Sequence, residues 1–335
     1  MASLFSVFGP HPFIILLGNC GLSVLTGGLL YLLGQRLFSR RAGLTALALW
    51  TVYPYSIYYC AWTFRESFLV FLAVAMLWLL FELRDLQTPR AAACAGVCGG
   101  LLGLTNPSCL IFVGLSPGAL FGLKPRASRA GLLAVFFLAL GLSYSPWVVR
   151  NYLAFHRLIL TNAHGGINLY YGVMVPADDL GTERESRFRS SDPVERQAAA
   201  LIAAGREQEA GEIYKSAIRQ AILQSPGHYL RTCLERFVKF WRFTPYPRKY
   251  DLDYGKVFWI SLLSDGLLIP LGAIAFWFFR RRWRELLPLW AIVLLWPLAY
   301  YLVYAVIRFR MPVMPVLILM TAALLDRALP GAQKS

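Results

Sequence analysis

Long stretches of this chain carry no charge. Apolar blocks of about 17 to 24 residues alternate with short polar turns, and a helix of that length spans the ~30 Å hydrocarbon core of a bilayer. Of the 335 residues, 57% are hydrophobic and only 15% charged. A soluble domain of this size has no use for so much apolar surface. The pattern predicts an all-α, polytopic membrane bundle of about nine spans with a helical domain in one large loop.

The expected spans are Pro12–Leu33, Gly43–Tyr58, Ser67–Leu83, Ala91–Leu104, Cys109–Leu123, Gly131–Val149, Val257–Phe279, Leu286–Tyr304 and Met311–Leu325. A polar stretch from Arg150 to Gly255 interrupts them. The chain therefore reads as an N-terminal membrane bundle (1–149), an extracytoplasmic loop (150–255) and a C-terminal membrane bundle (256–335).

The formal net charge of +15 raises nucleic acid as a partner. The basic residues, however, punctuate the apolar blocks and form no single patch, which points to membrane lipid and away from nucleic acid. Their sidedness sets the topology. Fourteen Lys and Arg occupy one set of short loops, among them Arg36, Arg84, Arg280–Arg282 and Arg327, against Arg65, Arg308 and Arg310 on the other side. The richer side is cytoplasmic. The C-terminus is then inside, and the N-terminus and the large loop outside, in the inner (cytoplasmic) membrane of a bacterium. Met1–Gly9 has no positively charged n-region, so no signal peptide is expected.

Within the loop, Asp192-Pro193 with Glu195 combines an N-cap, a first-position proline and a first-turn acid. A helix should run from there to about Ala204, a second from Arg206 to Leu223, and a third from Ser225-Pro226 to about Phe243. The third has Leu230, Cys233, Leu234, Phe237 and Trp241 on one face and Arg231, Glu235, Arg236, Lys239 and Arg242 on the other. A helix with apolar and basic faces of this kind suits the membrane–water interface.

Soluble-enzyme motifs for phosphate loops, nucleophile elbows, zinc proteases and dinucleotides are missing. The six cysteines read as apolar packers, and the four scattered histidines lack metal-ligand spacing. No cofactor is specified, and a divalent metal is left open. The informative polar groups sit at the outer ends of spans: Arg65-Glu66, Asn106, Arg150-Asn151, and Arg308 with Arg310. Arginines gathered there would make an anion site open to lipid, suited to a phosphate on a lipid carrier. Separate arginines snorkelling to headgroups are the simpler alternative. Asp265, inside the seventh span, is either functional or bonded to a neighbouring helix.

Longer motifs add a resemblance. Pro146-Trp147-Val148-Val149-Arg150-Asn151-Tyr152, followed by Thr161-Asn162-Ala163-His164-Gly165-Gly166-Ile167-Asn168-Leu169-Tyr170-Tyr171-Gly172, resembles a segment of bacterial membrane glycosyltransferases. These belong to the dolichyl-phosphate-mannose protein mannosyltransferase-like group of the GT-C class. Arg308-Phe309-Arg310-Met311-Pro312, Phe64-Arg65-Glu66-Ser67 and the segment Pro226–Trp241 are similar to further motifs of that group, in the same order. Val173 stands where the group usually has Asn.

The resemblance implies transfer of a sugar from a polyprenyl-phosphate donor to a lipid, glycan or protein hydroxyl at the outer face. It also implies an acidic residue as base and positive groups on the departing phosphate. Glu66 is then the candidate catalytic residue. The candidate substrate-binding residues are Arg65, Asn106, Arg150, Asn151, His164, Asn168, Tyr170, Arg308 and Arg310. The group's outward first helix and acidic first loop have no counterpart here, since Met1–Arg65 holds no Asp or Glu. On the resemblance, an N-terminally incomplete enzyme is expected. A catalytically inactive polyprenyl-phosphate-binding relative or partner subunit is the second class. A lipid or solute transporter is the third, disfavoured because Asp265 is at most one mid-membrane ionisable group and no internal repeat is visible.

Overall fold

A computed structural model of the chain describes residues 12–121, 129–156, 158, 160, 165–243 and 254–328. Among these every regular element is helical. The residues divide into two compact units. One comprises residues 1–146, 262–296 and 311–335, and the other 147–261 and 297–310.

The first unit is the membrane bundle. It opens with α1 (Pro12–Leu37), α2 (Arg40–Val52), α3 (Pro54–Cys60), α4 (Glu66–Leu86), α5 (Pro89–Thr105) and α6 (Leu110–Phe121). It takes in the first part of α7 (Arg129–Phe155), which continues past the boundary at Pro146. Among the described residues four helices are long and apolar enough to cross a bilayer: Phe13–Leu37, Glu66–Leu86, Arg129–Phe155 and Phe258–Phe278. In α4, 67% of the apolar window is buried, against 17% in α7. The first is thus a core helix, while most of the second is left uncovered by the described residues.

The other apolar blocks form shorter or broken helices, and proline is the main reason. The second expected span breaks at Tyr53, because Pro54 opens α3 and disfavours a helical residue before it. The eighth divides at Pro297 into α15 (Leu287–Leu295) and α16 (Leu298–Leu302), numbered after the two halves of the seventh. Those halves are α13 (Tyr254–Leu263) and α14 (Asp265–Phe278), which meet at Ser264. The last helix, α17 (Met314–Ala328), is buried on all sides from Met314 to Ala323. It packs against α2 and α14 as the axis of the unit.

α4 has 21 residues, so its ends lie roughly 30 Å apart. At the Leu86 end, Arg36 donates to Glu82 at 2.6 Å and to Asp85 at 2.7 Å, and Arg282 donates to the Leu37 carbonyl at 3.0 Å. At the same end Ser39 caps α2 and donates to Asp326 at 2.6 Å. At the opposite end Asn19 of α1 donates to the Trp62 carbonyl at 2.9 Å, and Cys60 donates to the Asn19 carbonyl. All six cysteines are free thiols, Cys98 and Cys109 buried, Cys20 and Cys94 exposed.

The second unit contains α8 (Gly165–Met174), α9 (Glu183–Ser191), α10 (Pro193–Ala203), α11 (Glu207–Gln224) and α12 (Pro226–Trp241), with α16 and the 3-10 turn Ile307–Arg310. The caps are those the residues call for. Asp192 accepts from the Glu195 amide at 2.8 Å with Pro193 in the first turn, and Thr182 accepts from the Arg184 amide. Around Tyr170, Tyr171, Val175, Leu180, Tyr214 and Ile218 these helices close an aromatic-rich core.

Candidate functional site

In the membrane unit, Arg65, Glu66 and Asn106 lie at the end opposite the Arg36–Glu82 cluster. Arg65 precedes α4 and is exposed, whereas Glu66 in the first turn is buried. A carboxylate at a helix N-terminus is favoured by the helix dipole. α5 runs back antiparallel to α4 after the left-handed cap residue Gln87, which returns Asn106 to the same end. Asn106 is buried, caps α5 and accepts from the Ser108 amide at 3.1 Å to start the 3-10 turn Pro107–Cys109.

Beside Glu66, Ser67 lines a small cavity together with Ser23, Trp50, Ser56, Tyr59, Val70 and Met311. Four of the lining residues bear hydroxyls, but the surface presented to the void is almost wholly apolar, and the Ser56 hydroxyl is turned to the Trp50 and Tyr53 carbonyls. Tyr58, Tyr59, Trp62 and Phe64 form a run of ring contacts over the loop that leads into α4.

Two helix breaks of this unit are joined. The Tyr53 hydroxyl, at the α2–α3 break, donates to Asp265 Oδ1 at 2.6 Å, at the start of α14. Both residues are buried. Asp265 is therefore bonded to a neighbouring helix, the arrangement its place inside an apolar span required.

In the second unit the remaining candidates separate. Arg150 is exposed, donates to Asn151 Oδ1 at 3.0 Å and lies over the rings of Trp147 and Phe155. Asn151 is buried and Asn168 exposed. Tyr170 is buried in the core and its hydroxyl donates to Asp192 at 2.8 Å. Burial first, and then the Asp192 carboxylate, push the Tyr170 phenol well above its ordinary range. Arg308 is exposed against the Phe309 ring. Arg310, by contrast, is 1% exposed and donates to the carbonyls of Phe240 at 2.6 Å and Arg242 at 2.9 Å, holding the last turn of α12. His164 lies outside the described residues.

One expectation is corrected. Arg236 and Lys239 do not belong to an outward basic face of α12; both are buried. Arg236 donates to the carbonyls of Gly172 at 3.1 Å and Val303 at 2.7 Å. Lys239 donates to those of Ala177 at 2.6 Å and Leu180 at 2.7 Å. The physical reason is the irregular backbone at 175–182 and 303–306. Its buried carbonyls need donors, and cations on α12 supply them. Desolvation depresses the Lys239 ammonium to about 8, with nearby acids such as Asp178 only partly offsetting it.

The same segment carries a hub that no sequence pattern indicated. Buried Glu185 accepts from the Gly181 amide at 2.5 Å, from the Tyr304 hydroxyl at 2.7 Å and from Arg189. Sequence reasoning also passes over Asn19 and Tyr53. The available signal was a polar side chain inside an apolar block for Asn19, and nothing local for Tyr53 and Glu185. Among the described residues no three His, Cys, Asp or Glu side chains gather closely enough to hold a metal ion.

The apolar helices make this a multi-pass membrane protein. No curated protein and no solved structure matches the chain. Residues 1–140 match the family described as dolichyl-phosphate-mannose-protein mannosyltransferase, and over that stretch the chain is similar to it.

Proposed function

We propose that the protein transfers a sugar from a polyprenyl-phosphate donor to a hydroxyl on a lipid, glycan or protein acceptor. The reaction is placed at the outer face of a bacterial inner membrane, with the C-terminus cytoplasmic. The observation that carries the reading is the family match over residues 1–140. That stretch holds Glu66 and every residue lining the small cavity beside Ser67 except Met311.

Glu66 is the acid offered for deprotonating the acceptor. It is the first carboxylate in the chain, and it opens a core helix at the arginine-poor end of the bundle. Arg65 beside it, exposed, is the cation offered to a phosphate. Arg150 and Arg308, two of the exposed guanidiniums of the second unit, are proposed by themselves as contacts for a lipid phosphate. Arg310 has a different duty, holding the end of α12. The loop acids Asp178 and Asp179 are tied to Arg242 and Arg184, which makes them weaker candidates for the base.

The test is transfer by the purified chain in liposomes containing a polyprenyl-phosphate sugar. General-base catalysis is worth about 10²–10⁴ in rate, so Glu66→Gln should remove most activity while donor binding survives. Arg65→Ala should weaken donor binding. Undiminished transfer by the Glu66→Gln form would reject Glu66 as the base. Donor binding with no transfer by the unaltered chain would favour the inactive-relative class.

A further inference from the structure

Helix α12 is amphipathic, but its faces are turned the opposite way from those of a water-facing helix. The residues packed inward are Thr232, Arg236, Lys239 and Phe240. The stripe left outward is Leu230, Leu234, Phe237 and Val238, which are 64%, 68%, 47% and 59% exposed. Their spacing of four, three and one places them on one side of the helix. A contiguous apolar stripe on an outer surface marks an interaction site.

We propose that this stripe is seated in the interfacial lipid of the bilayer that holds the protein. Three observations favour lipid over a second protein. First, the chain enters this unit from α7, a helix able to cross a membrane, and leaves it towards the Phe258–Phe278 helix, also able to cross. Twelve residues, 242–253, join α12 to α13, so at most about 40 Å of extended chain separates the stripe from a helix able to cross.

Second, the C-terminal end of the stripe carries the aromatic chemistry of a membrane interface. Phe237 packs edge-on against Tyr301, and the Trp241 indole donates to the Tyr301 hydroxyl at 2.6 Å. Third, the cations flanking the stripe are arranged for a lipid boundary. Arg236 and Lys239 are withdrawn onto carbonyls, and Arg231 is left outward beside Glu235. A long cationic side chain there reaches headgroups while its stem lies along lipid. The neighbouring α11 differs, with Lys215 and Arg219 on its exposed side.

Lipid seating gives Lys239 a consequence for the irregular segment. α12 holds the Ala177 and Leu180 carbonyls, so a helix fixed in the interface also fixes the height of the 175–182 segment above it. The inference does not depend on sugar transfer.

The test uses the full chain in lipid nanodiscs, with a photoreactive benzoylphenylalanine in place of Leu234, Phe237, Lys215 or Arg219. Lipid adducts should be several-fold more abundant at Leu234 and Phe237 than at Lys215 and Arg219. Equal lipid labelling at all four, or adducts from Leu234 mainly to a second copy of the chain, would overturn the assignment. Hydroxyl-radical footprinting of the unaltered protein in the same discs needs no variant. Phe237 should be silent while exposed His228, in the first turn of the same helix, is oxidised. Oxidation of Phe237 to the degree its exposure permits would also overturn it.

Discussion

The two units satisfy buried polar groups by different means. In the membrane unit the buried donors are neutral side chains, as when Tyr53 meets Asp265 and Thr26 and Ser56 meet nearby carbonyls. In the second unit buried cations meet the backbone, as Arg236, Lys239 and Arg310 do. The contrast follows from regularity. A membrane helix satisfies most of its own carbonyls, so a polar side chain inside it either shares one of them, as Thr26 does at Leu22, or finds another side chain. Where the chain is irregular, carbonyls are left over and draw donors inward. In the membrane unit too a loop carbonyl draws a donor: that of Trp62 is met by the Asn19 amide. Buried polarity thus reports where helices break.

The largest expected effect comes from closing the space this arrangement needs. A Cβ built on Gly172 would overlap the Val303 carbonyl oxygen and approach Arg236 Nη1 at 2.6 Å. Overpacking of this kind costs about 1–3 kcal/mol and at times more, and here it also disturbs a buried cation. Gly172→Ala should therefore open the second unit to protease within 175–182 at temperatures the unaltered protein tolerates. The membrane unit should keep its own melting transition. A single transition shifted as a whole would show that the two units do not unfold separately.

The counterpart in the membrane unit is Tyr53→Phe, which removes one donor from a buried carboxyl group. A hydrogen bond to a charged group contributes about 1.5–3 kcal/mol. The variant should lower the melting temperature in detergent and leave the protease pattern of 175–182 unchanged. Asp265→Asn keeps an oxygen for the Tyr53 hydroxyl and should cost less. Equal losses from the two would mean that Tyr53 acts through packing alone.

Most of what was legible in the sequence was local. The N-cap at Asp192, the prolines opening α10 and α12, and the apolar spans each depend on residues a few positions apart. The breaks at Pro54 and Pro297 were also written locally, but an unbroken hydropathy run masked them. Pairings across the chain were not legible. Tyr53 and Asp265 are 212 residues apart, and Arg236 and Val303 are 67 apart. No periodicity links such positions. The burial of Arg236 and Lys239 on α12 was missed for a related reason. Amphipathicity names two faces, but which one turns inward depends on the medium outside and on carbonyls elsewhere in the fold. Of the candidate residues, Glu66 and Asn106 do share one end of the bundle, while Tyr170 and Arg310 are buried with protein partners.

A smaller effect should appear with pH in the second unit. Lys239 titrates near 8 when folded, against an ordinary lysine value of 10.5 for the unfolded chain. Below pH 8 the ammonium is protonated in both states and its burial cost is fully felt. Between 8 and 10.5 the unfolded chain holds a proton that the folded chain has released, so stability rises with pH. Tyr170 and Tyr214 act in the opposite sense. Burial and carboxylate partners raise both, so above about pH 10 the unfolded chain loses protons that the folded one keeps. Protease resistance of 175–182 should therefore climb from pH 8, by about 1–2 kcal/mol, and turn over near pH 10. Lys239→Met should remove the climb and leave the fall. A climb that persists in Lys239→Met would assign it to another group.

The smallest effect isolates the rule on a single helix. Arg231 and Arg236 both belong to α12, five residues apart, and both have partners. Arg231 forms an exposed i,i+4 pair with Glu235, the two side chains 78% and 44% accessible. Such a pair contributes about 0.3–0.5 kcal/mol, because water screens it and ordering two long side chains offsets the attraction. Arg231→Ala should therefore leave the unfolding midpoint within about 0.5 kcal/mol of the unaltered protein, and less in high salt. Arg236→Ala strands two buried carbonyls, each of which costs about 1–3 kcal/mol when left unmade. The ratio between the two variants measures how far the position of a cation, and not its charge, decides its effect on the fold. If Arg231→Ala proved as damaging as Arg236→Ala, α12 would have to be held in place by its outward charges, and the contrast between the units would fail at the helix that illustrates it best.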